Sequence, residues 1–267
     1  MTTTDLGGIL PDLSNKIVAV TGASSGIGRE TAIQAAKSGA SLILHYNQNR
    51  KGLESTVNEV SKFGAQCKAI QADFNSRSGH DDFCVTAWNW KNRIDVLVNN
   101  AGGDVLTNER KQWSLDQKLE FLWNVDVLSC IHLSREIGAK MKAYDSFEST
   151  PAIINIGWDQ AISGQAGDSG EIFSVTKGAI MCFSKSIAKS LAPNVRVNCV
   201  APGWIQTSWG STTSDYWDAR AKGESLLHRW GVPADIASTI CFLASDESEF
   251  INGQIIELNG GQNFGVY

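Results

Sequence analysis

Residues 16–28 read KIVAVTGASSGIG: a short apolar run, a bend carrying Gly22, Gly26 and Gly28, and then a helix-period stretch reaching about residue 38. No other feature constrains the chain as tightly. A short strand that is hydrophobic on both faces must be covered on both faces. A helix that follows within one turn packs back across it, and glycine is what lets strand and helix approach so closely. The N-terminus of such a helix presents bare backbone N–H groups and the positive end of its dipole, which together attract phosphate. With no Cβ in the way, a pyrophosphate can reach the backbone. The spacing is G-x-x-x-G-x-G, not the more familiar G-x-G-x-x-G. A tight strand-to-helix turn without ligand is the plainer alternative.

The rest of the chain repeats the pattern. Apolar β-rich runs at 16–20, 41–46, 67–72, 94–99, 152–156, 195–200 and 253–258 alternate with helix-period segments at about 26–38, 51–63, 78–91, 114–142, 173–191 and 233–244. This alternation predicts βαβ crossovers and an α/β fold: a Rossmann-type doubly wound parallel sheet of about seven strands, with helices on both faces. No repeat, low-complexity tract or linker divides the 267 residues, so one domain is expected over 1–267, with residues 1–14 as an N-terminal extension. The polar, Trp-rich segment 204–230 interrupts the rhythm between the last two strands and reads as a lid over a site or as a surface loop.

A net charge of −5 gives no support for a nucleic-acid partner, and no apolar run is long enough to span a bilayer. The six cysteines are scattered, with no metal-ligand spacing, and fit reduced thiols of a cytoplasmic protein. A small-molecule substrate is the expected partner, with no bound metal.

The end of the second apolar run bears on which dinucleotide the bend would hold. A carboxylate there would bond ribose hydroxyls and favour NAD. The stretch HYNQNRK (45–51) has none; it carries Asn47, Arg50 and Lys51 instead. A cation at this place meets a 2′-phosphate, which favours NADP(H) over NAD(H). The plainer alternative is that Arg50 and Lys51 open a solvated helix.

With TGASSGIG at 21–28, NNAG at 99–102, F-x-x-x-K at 173–177 and VNCVAPG at 197–203, the chain resembles the short-chain dehydrogenase/reductase family over nearly its whole length. The resemblance implies a nicotinamide dinucleotide and a homo-oligomer, tetramer or dimer. It implies that Ser24, Ser25 and Ile27 lie along the pyrophosphate with the three glycines, that Asp73 of QADF bonds the adenine amino group, and that Phe74 beside it is a cofactor-binding residue. Asn99, Ala101 and Gly102 would line the ribose side. Pro202, Gly203, Ile205 and Thr207 would hold the nicotinamide amide. Lys177 would bond the nicotinamide ribose.

The family's proton-handling residues are otherwise missing. Phe173 stands at the tyrosine position, Trp158 at the serine position and Asp126 at the asparagine position, so the catalytic positions read Lys177, Phe173, Trp158 and Asp126. Trp158 has the bulk to fill the space a small carbonyl substrate would need. Asp126, if ionised, would repel a developing alkoxide. Asp159, Asp168 and Glu171 are candidate replacement acids, although each reads more simply as a solvated loop carboxylate; Ser163, Ser169 and Ser174 read as turn or cap residues. Three functions follow: an NADP(H)-dependent oxidoreductase with a remodelled site, a non-redox isomerase, lyase or cyclase in the old pocket, or a non-catalytic NADP-binding protein.

Overall fold

A computed structural model of the chain describes residues 10–207, 210 and 213–261. Residues 1–9 of the expected extension, and 208, 209, 211 and 212 of the expected lid, lie outside the described residues.

Seven strands form one parallel sheet: β1 Ile17–Val20, β2 Ser41–Tyr46, β3 Cys67–Gln71, β4 Val96–Asn99, β5 Ala152–Ile156, β6 Arg196–Pro202 and β7 Ile255–Leu258. Their spatial order is β3-β2-β1-β4-β5-β6-β7. The chain runs outward from β1 in one direction and then returns to β4 on its other side. That reversal opens a crevice at the strand C-termini between β1 and β4, where ligands of doubly wound sheets bind. Val18 is in register with Leu42 on one side and Val96 on the other.

Strand residues alternate between two apolar cores, as the two-residue period of a strand requires. Val18, Val20, Leu42 and Leu44 face one layer, which includes Ile236 and Ile240. Ile17, Ala19 and Ile43 face the opposite layer with Phe83, Leu133 and Ile187. The first layer holds helices α1 (Gly26–Lys37), α2 (Arg50–Ser61) and α9 (Pro233–Ala244). The second holds α3 (Arg77–Lys91), α5 (Ser129–Ala143) and α7 (Asp168–Leu191). The expected burial on both faces fails for β3: it is an edge strand, and Lys68, Ala69 and Gln71 are exposed.

Three boundaries differ from the expectation. The predicted 114–142 helix is α4 (Leu115–Leu122), a π-helical turn over Trp123–Leu128, and α5. Ser114 starts α4 with a reciprocal capping box to Gln117. Helix α7 begins at Asp168, five residues before Phe173, and a four-residue α6 (Gln160–Ser163) follows β5. The 204–230 segment contains α8, Asp215–Glu224. No described helix is long and apolar enough to cross a membrane. Among the described residues no cluster of His, Cys, Asp or Glu could hold a metal ion. Cys84, Cys130, Cys199 and Cys241 are buried free thiols whose pKa values burial pushes up to about 12, whereas Cys182 is exposed.

Candidate active site

The glycine bend fits an anionic group. Ser25 precedes α1 in an extended conformation but makes no side-chain cap, and the first turn of α1 has no acidic residue, so neither supplies an acceptor for the helix's leading N–H groups. Gly22 and Gly26 have positive φ, +67° and +53°. A Cβ at Gly28 would collide with the Gly22 carbonyl and the Asn100 amide, so this glycine is needed for the helix to pack onto the bend. Ser24 and Ile27 are partly exposed and Ser25 is exposed along this turn.

Two residues that the motifs did not single out hold the bend in place. The Thr21 hydroxyl accepts the N–H groups of Asn100 and Ala101, both at 2.9 Å, and donates to the Val98 carbonyl, joining the glycine bend to the NNAG turn. The Gly22 N–H donates to His45 Nδ1 at 3.1 Å, and the other ring nitrogen lies 3.0 Å from the Ala72 carbonyl. That pairing requires Nε2 to carry the proton. Burial lowers the His45 pKa to about 4, which keeps the ring neutral and Nδ1 an acceptor.

On the side expected to meet the adenine, two of the named residues are in contact. Asp73 Oδ1 accepts from Asn47 Nδ2 at 3.1 Å and from the Asn75 N–H at 3.0 Å, so Asn47 and Asp73 meet across the ends of β2 and β3. Arg50 lies in the first turn of α2 with a side chain 78% exposed, paired to Glu54 at 2.9 Å. Phe74, expected among the cofactor-binding residues, is a correction: its side chain is buried, stacked on His45 at 3.9 Å and edge-on to Phe83, which makes it a core side chain. Asn99 is another. Its Nδ2 is committed to Ser134 and Asn155, and Asn155 passes the chain on to Ser184, so the side chain ties β4, β5, α5 and α7 together instead of reaching a ribose. Sequence spacing cannot separate Asn99 from Asn100, because adjacent strand-end residues point to opposite faces.

At the other end of the crevice lies an apolar cleft of about 500 Å³. It gathers Ile27 from the bend, Trp158 from the β5 end, Phe173 and Lys177 from α7, and Pro202, Gly203, Ile205 and Thr207 from the β6 end. Phe173 and Lys177 are one helical turn apart and share a face of α7. Phe173 packs beside Val105, Leu122 and Ile172 and stands edge-on to Trp158 with ring centroids 6.3 Å apart. Trp158 thus forms a wall of the cleft and leaves a cavity open, contrary to the expectation that it would fill the substrate space. The expected lid contributes Trp204, Trp217 and Trp230 to the lining. Their clustering in a polar segment was the one signal of this role in the sequence.

Asp126 sits on the π-helical turn with its side chain 1% exposed. Its Oδ2 is 2.9 Å from Lys177 Nζ, and its Oδ1 accepts the Gly103 N–H at 2.7 Å. A Cβ on Gly102 would come within 3.1 Å of the same carboxylate. The carboxylate is therefore a paired charge rather than the free, repelling one expected from the sequence.

The replacement acids separate by position. Asp168 and Glu171 are exposed on the first turn of α7, not in a loop. Asp159 is buried, which corrects its reading as a solvated carboxylate; burial raises its pKa to about 6, opposed by hydrogen bonds from Asn259 and the Gln160 N–H. It packs behind Gly203, and the cleft lining does not include it. Ser169 lines the cleft, Ser163 is exposed, and the Ser174 hydroxyl is buried without a partner.

A family profile described as enoyl-(acyl carrier protein) reductase matches residues 22–263. The chain is 33% identical over 253 residues to the uncharacterized oxidoreductase YhdF of Bacillus subtilis, covering 94% of this chain and 84% of that protein. It is 32% identical over 255 residues to the 3-oxoacyl-[acyl-carrier-protein] reductase FabG of Staphylococcus epidermidis, covering 92% and 98%. The crystal structure of L-sorbose reductase from Gluconobacter frateurii, complexed with NADPH and L-sorbose, superposes with a TM-score of 0.83 at 28% identity, covering 96% and 99%. Glycine bend, parallel sheet and relatives agree, and the chain belongs to the short-chain dehydrogenase/reductase family of oxidoreductases.

Proposed function

We propose that this chain is an NADP(H)-preferring oxidoreductase of a small molecule, working without the tyrosine and serine hydroxyls on which its family relies. One observation carries the reading: an uncapped helix N-terminus behind the glycine bend and the Lys177 ammonium open onto the two ends of one crevice. A nicotinamide dinucleotide, when bound, supplies or accepts hydride. In this reading the α1 N–H groups with Gly22, Gly26 and Gly28 hold the pyrophosphate, with Ser24, Ser25 and Ile27 alongside. Asp73 bonds the adenine, and Ala101 and Gly102 back the ribose. Pro202, Gly203, Ile205 and Thr207 hold the nicotinamide amide, and Lys177 bonds the second ribose while Asp126 fixes its direction. Phe173 has no proton to give. Trp158 offers a single indole N–H beside a large apolar face. A substrate that needs little proton assistance suits such walls better than a simple ketone.

Arg50 supports the NADP preference. Its pair with Glu54 is exposed, and a pair of that kind is worth about 1 kcal/mol or less, so a 2′-phosphate can compete for the guanidinium. The reading also includes segment 204–230 as a lid and one domain over the chain. A homo-oligomer belongs to it as well, with exposed Val175 on α7 and the open edge of β7 as contact elements. Calorimetry with NADPH and NADH tests the cofactor assignment. NADPH is expected to bind at least about tenfold tighter, a difference of about 1.4 kcal/mol, and Arg50→Ala is expected to erase the preference. Binding of neither dinucleotide would overturn the proposal.

A further inference from the structure

The cleft has a charge pattern that its apolar walls conceal. Among the described residues its aromatic and aliphatic lining includes no carboxylate and two ammonium groups, Lys177 and Lys111; Glu224 and Asp218 sit behind it, accepting from the indole N–H groups of Trp204 and Trp230. Lys177 is committed to Asp126 at 2.9 Å. Lys111 is exposed, lies on the 3-10 turn Glu109–Gln112 at the cleft margin, and makes no ion pair among the described residues. The turn is fixed from below: the Lys111 carbonyl accepts from Lys118 Nζ at 3.0 Å, and the Trp113 N–H bonds the Arg110 carbonyl at 3.1 Å. The backbone that carries Lys111 is therefore anchored while its ammonium stays available.

We infer that the substrate is an amphipathic organic anion: a flat, ring-sized apolar body against Trp158 and Phe173, with a carboxylate or similar anionic end directed to Lys111. This rests on the reading above that the cleft takes the substrate, and it adds the substrate's chemical class. Three physical facts favour it. The cofactor-free cleft, about 500 Å³, is in the range that holds a small ring-containing molecule. Offset and edge-on contacts with aromatic rings suit a flat unsaturated body. Lys111, the cleft cation without an ion pair among the described residues, would repel a cationic ligand, and apolar walls beside it strengthen attraction to an anion relative to open water.

The test uses the full-length protein without added cofactor and two ligands of one shape, 2-naphthoate and neutral 2-naphthamide. Binding is followed by quenching of tryptophan fluorescence. Naphthoate is expected to bind about fivefold tighter than naphthamide, as a partly exposed ion pair would give. Lys111→Met is expected to remove the difference, Lys111→Arg to retain it, and 0.5 M salt to shrink it. Equal binding of the two ligands would overturn the inference. So would a preference that survives Lys111→Met, or one lost instead in Lys177→Met or Lys118→Met. Because cofactor is absent from these titrations, failure of NADPH binding would defeat the oxidoreductase reading alone, and failure of the naphthoate preference would defeat this inference alone.

Discussion

Replacing Lys177 with methionine strands the Asp126 carboxylate. That side chain is 1% exposed, and besides the lysine it accepts from the Gly103 N–H. Removing one member of a buried ion pair costs about 3–5 kcal/mol, because the remaining charge has lost both water and partner. For a domain of this size each kcal/mol moves the melting temperature by about 2–4 °C, so Lys177→Met should melt roughly 6–20 °C lower than the parent. Asp126→Asn should cost less, about 1–2 kcal/mol. The amide oxygen still accepts from Gly103, and Lys177, 15% exposed, can turn toward solvent. The double variant Lys177→Met/Asp126→Asn should cost less than the sum of the two single variants, leaving a coupling energy of about 2 kcal/mol or more. Urea unfolding of all four proteins at one fixed protomer concentration measures the cycle. Repetition at high salt should change the coupling little, since buried pairs are weakly screened. A loss below about 1 kcal/mol in Lys177→Met, or a coupling near zero, would refute the pairing and return both side chains to independent roles.

Phe173→Tyr alone should raise activity on a panel of simple ketones by less than about tenfold, although a positioned general acid is worth about 10²–10⁴-fold, because Trp158 still stands where the family has serine; Phe173→Tyr/Trp158→Ser should exceed the single variant, and steady-state rates decide. Asp159, with a folded pKa of about 6 against an ordinary value of 3.8, favours the folded state most when protonated. Its contribution is full below about pH 4 and is lost as pH rises through 6. Asp159→Asn should therefore stabilise the protein at pH 8 by about 1–3 kcal/mol relative to its effect at pH 4, read from urea unfolding at both. His45, with a pKa lowered to about 4, contributes stability that is present above pH 6.5 and lost as pH falls toward 4. Its imidazole resonances should not titrate between pH 8 and 5.5, and His45→Ala, which removes the acceptor for the Gly22 N–H, should weaken NADPH binding in calorimetry.

What the sequence determined alone is local in the chain. The apolar runs marked all seven strands to within about two residues, the five inner ones because a buried strand must be apolar along its own length. Gly22, Gly26 and Gly28 marked the bend because a positive φ and a missing Cβ are properties of single residues. The absence of hydroxyls at 158 and 173 is likewise visible in the letters. Tertiary structure decided everything that depends on which distant side chains meet. Asp126 looked like an obstructive charge until Lys177, 51 positions later, was placed 2.9 Å from it. Phe74 looked like a cofactor-binding side chain until His45 was found stacked on it, and Asn99 looked like a residue of the ribose side until Ser134 and Asn155 claimed its amide. Trp204, Trp217 and Trp230 stood in a stretch that read as a lid or as a surface loop, and only the tertiary structure put all three in the lining of one cleft. The difference is physical: backbone conformation and periodic burial act over a few residues, whereas the partner of a buried polar group is chosen by packing between elements that chain order does not put side by side.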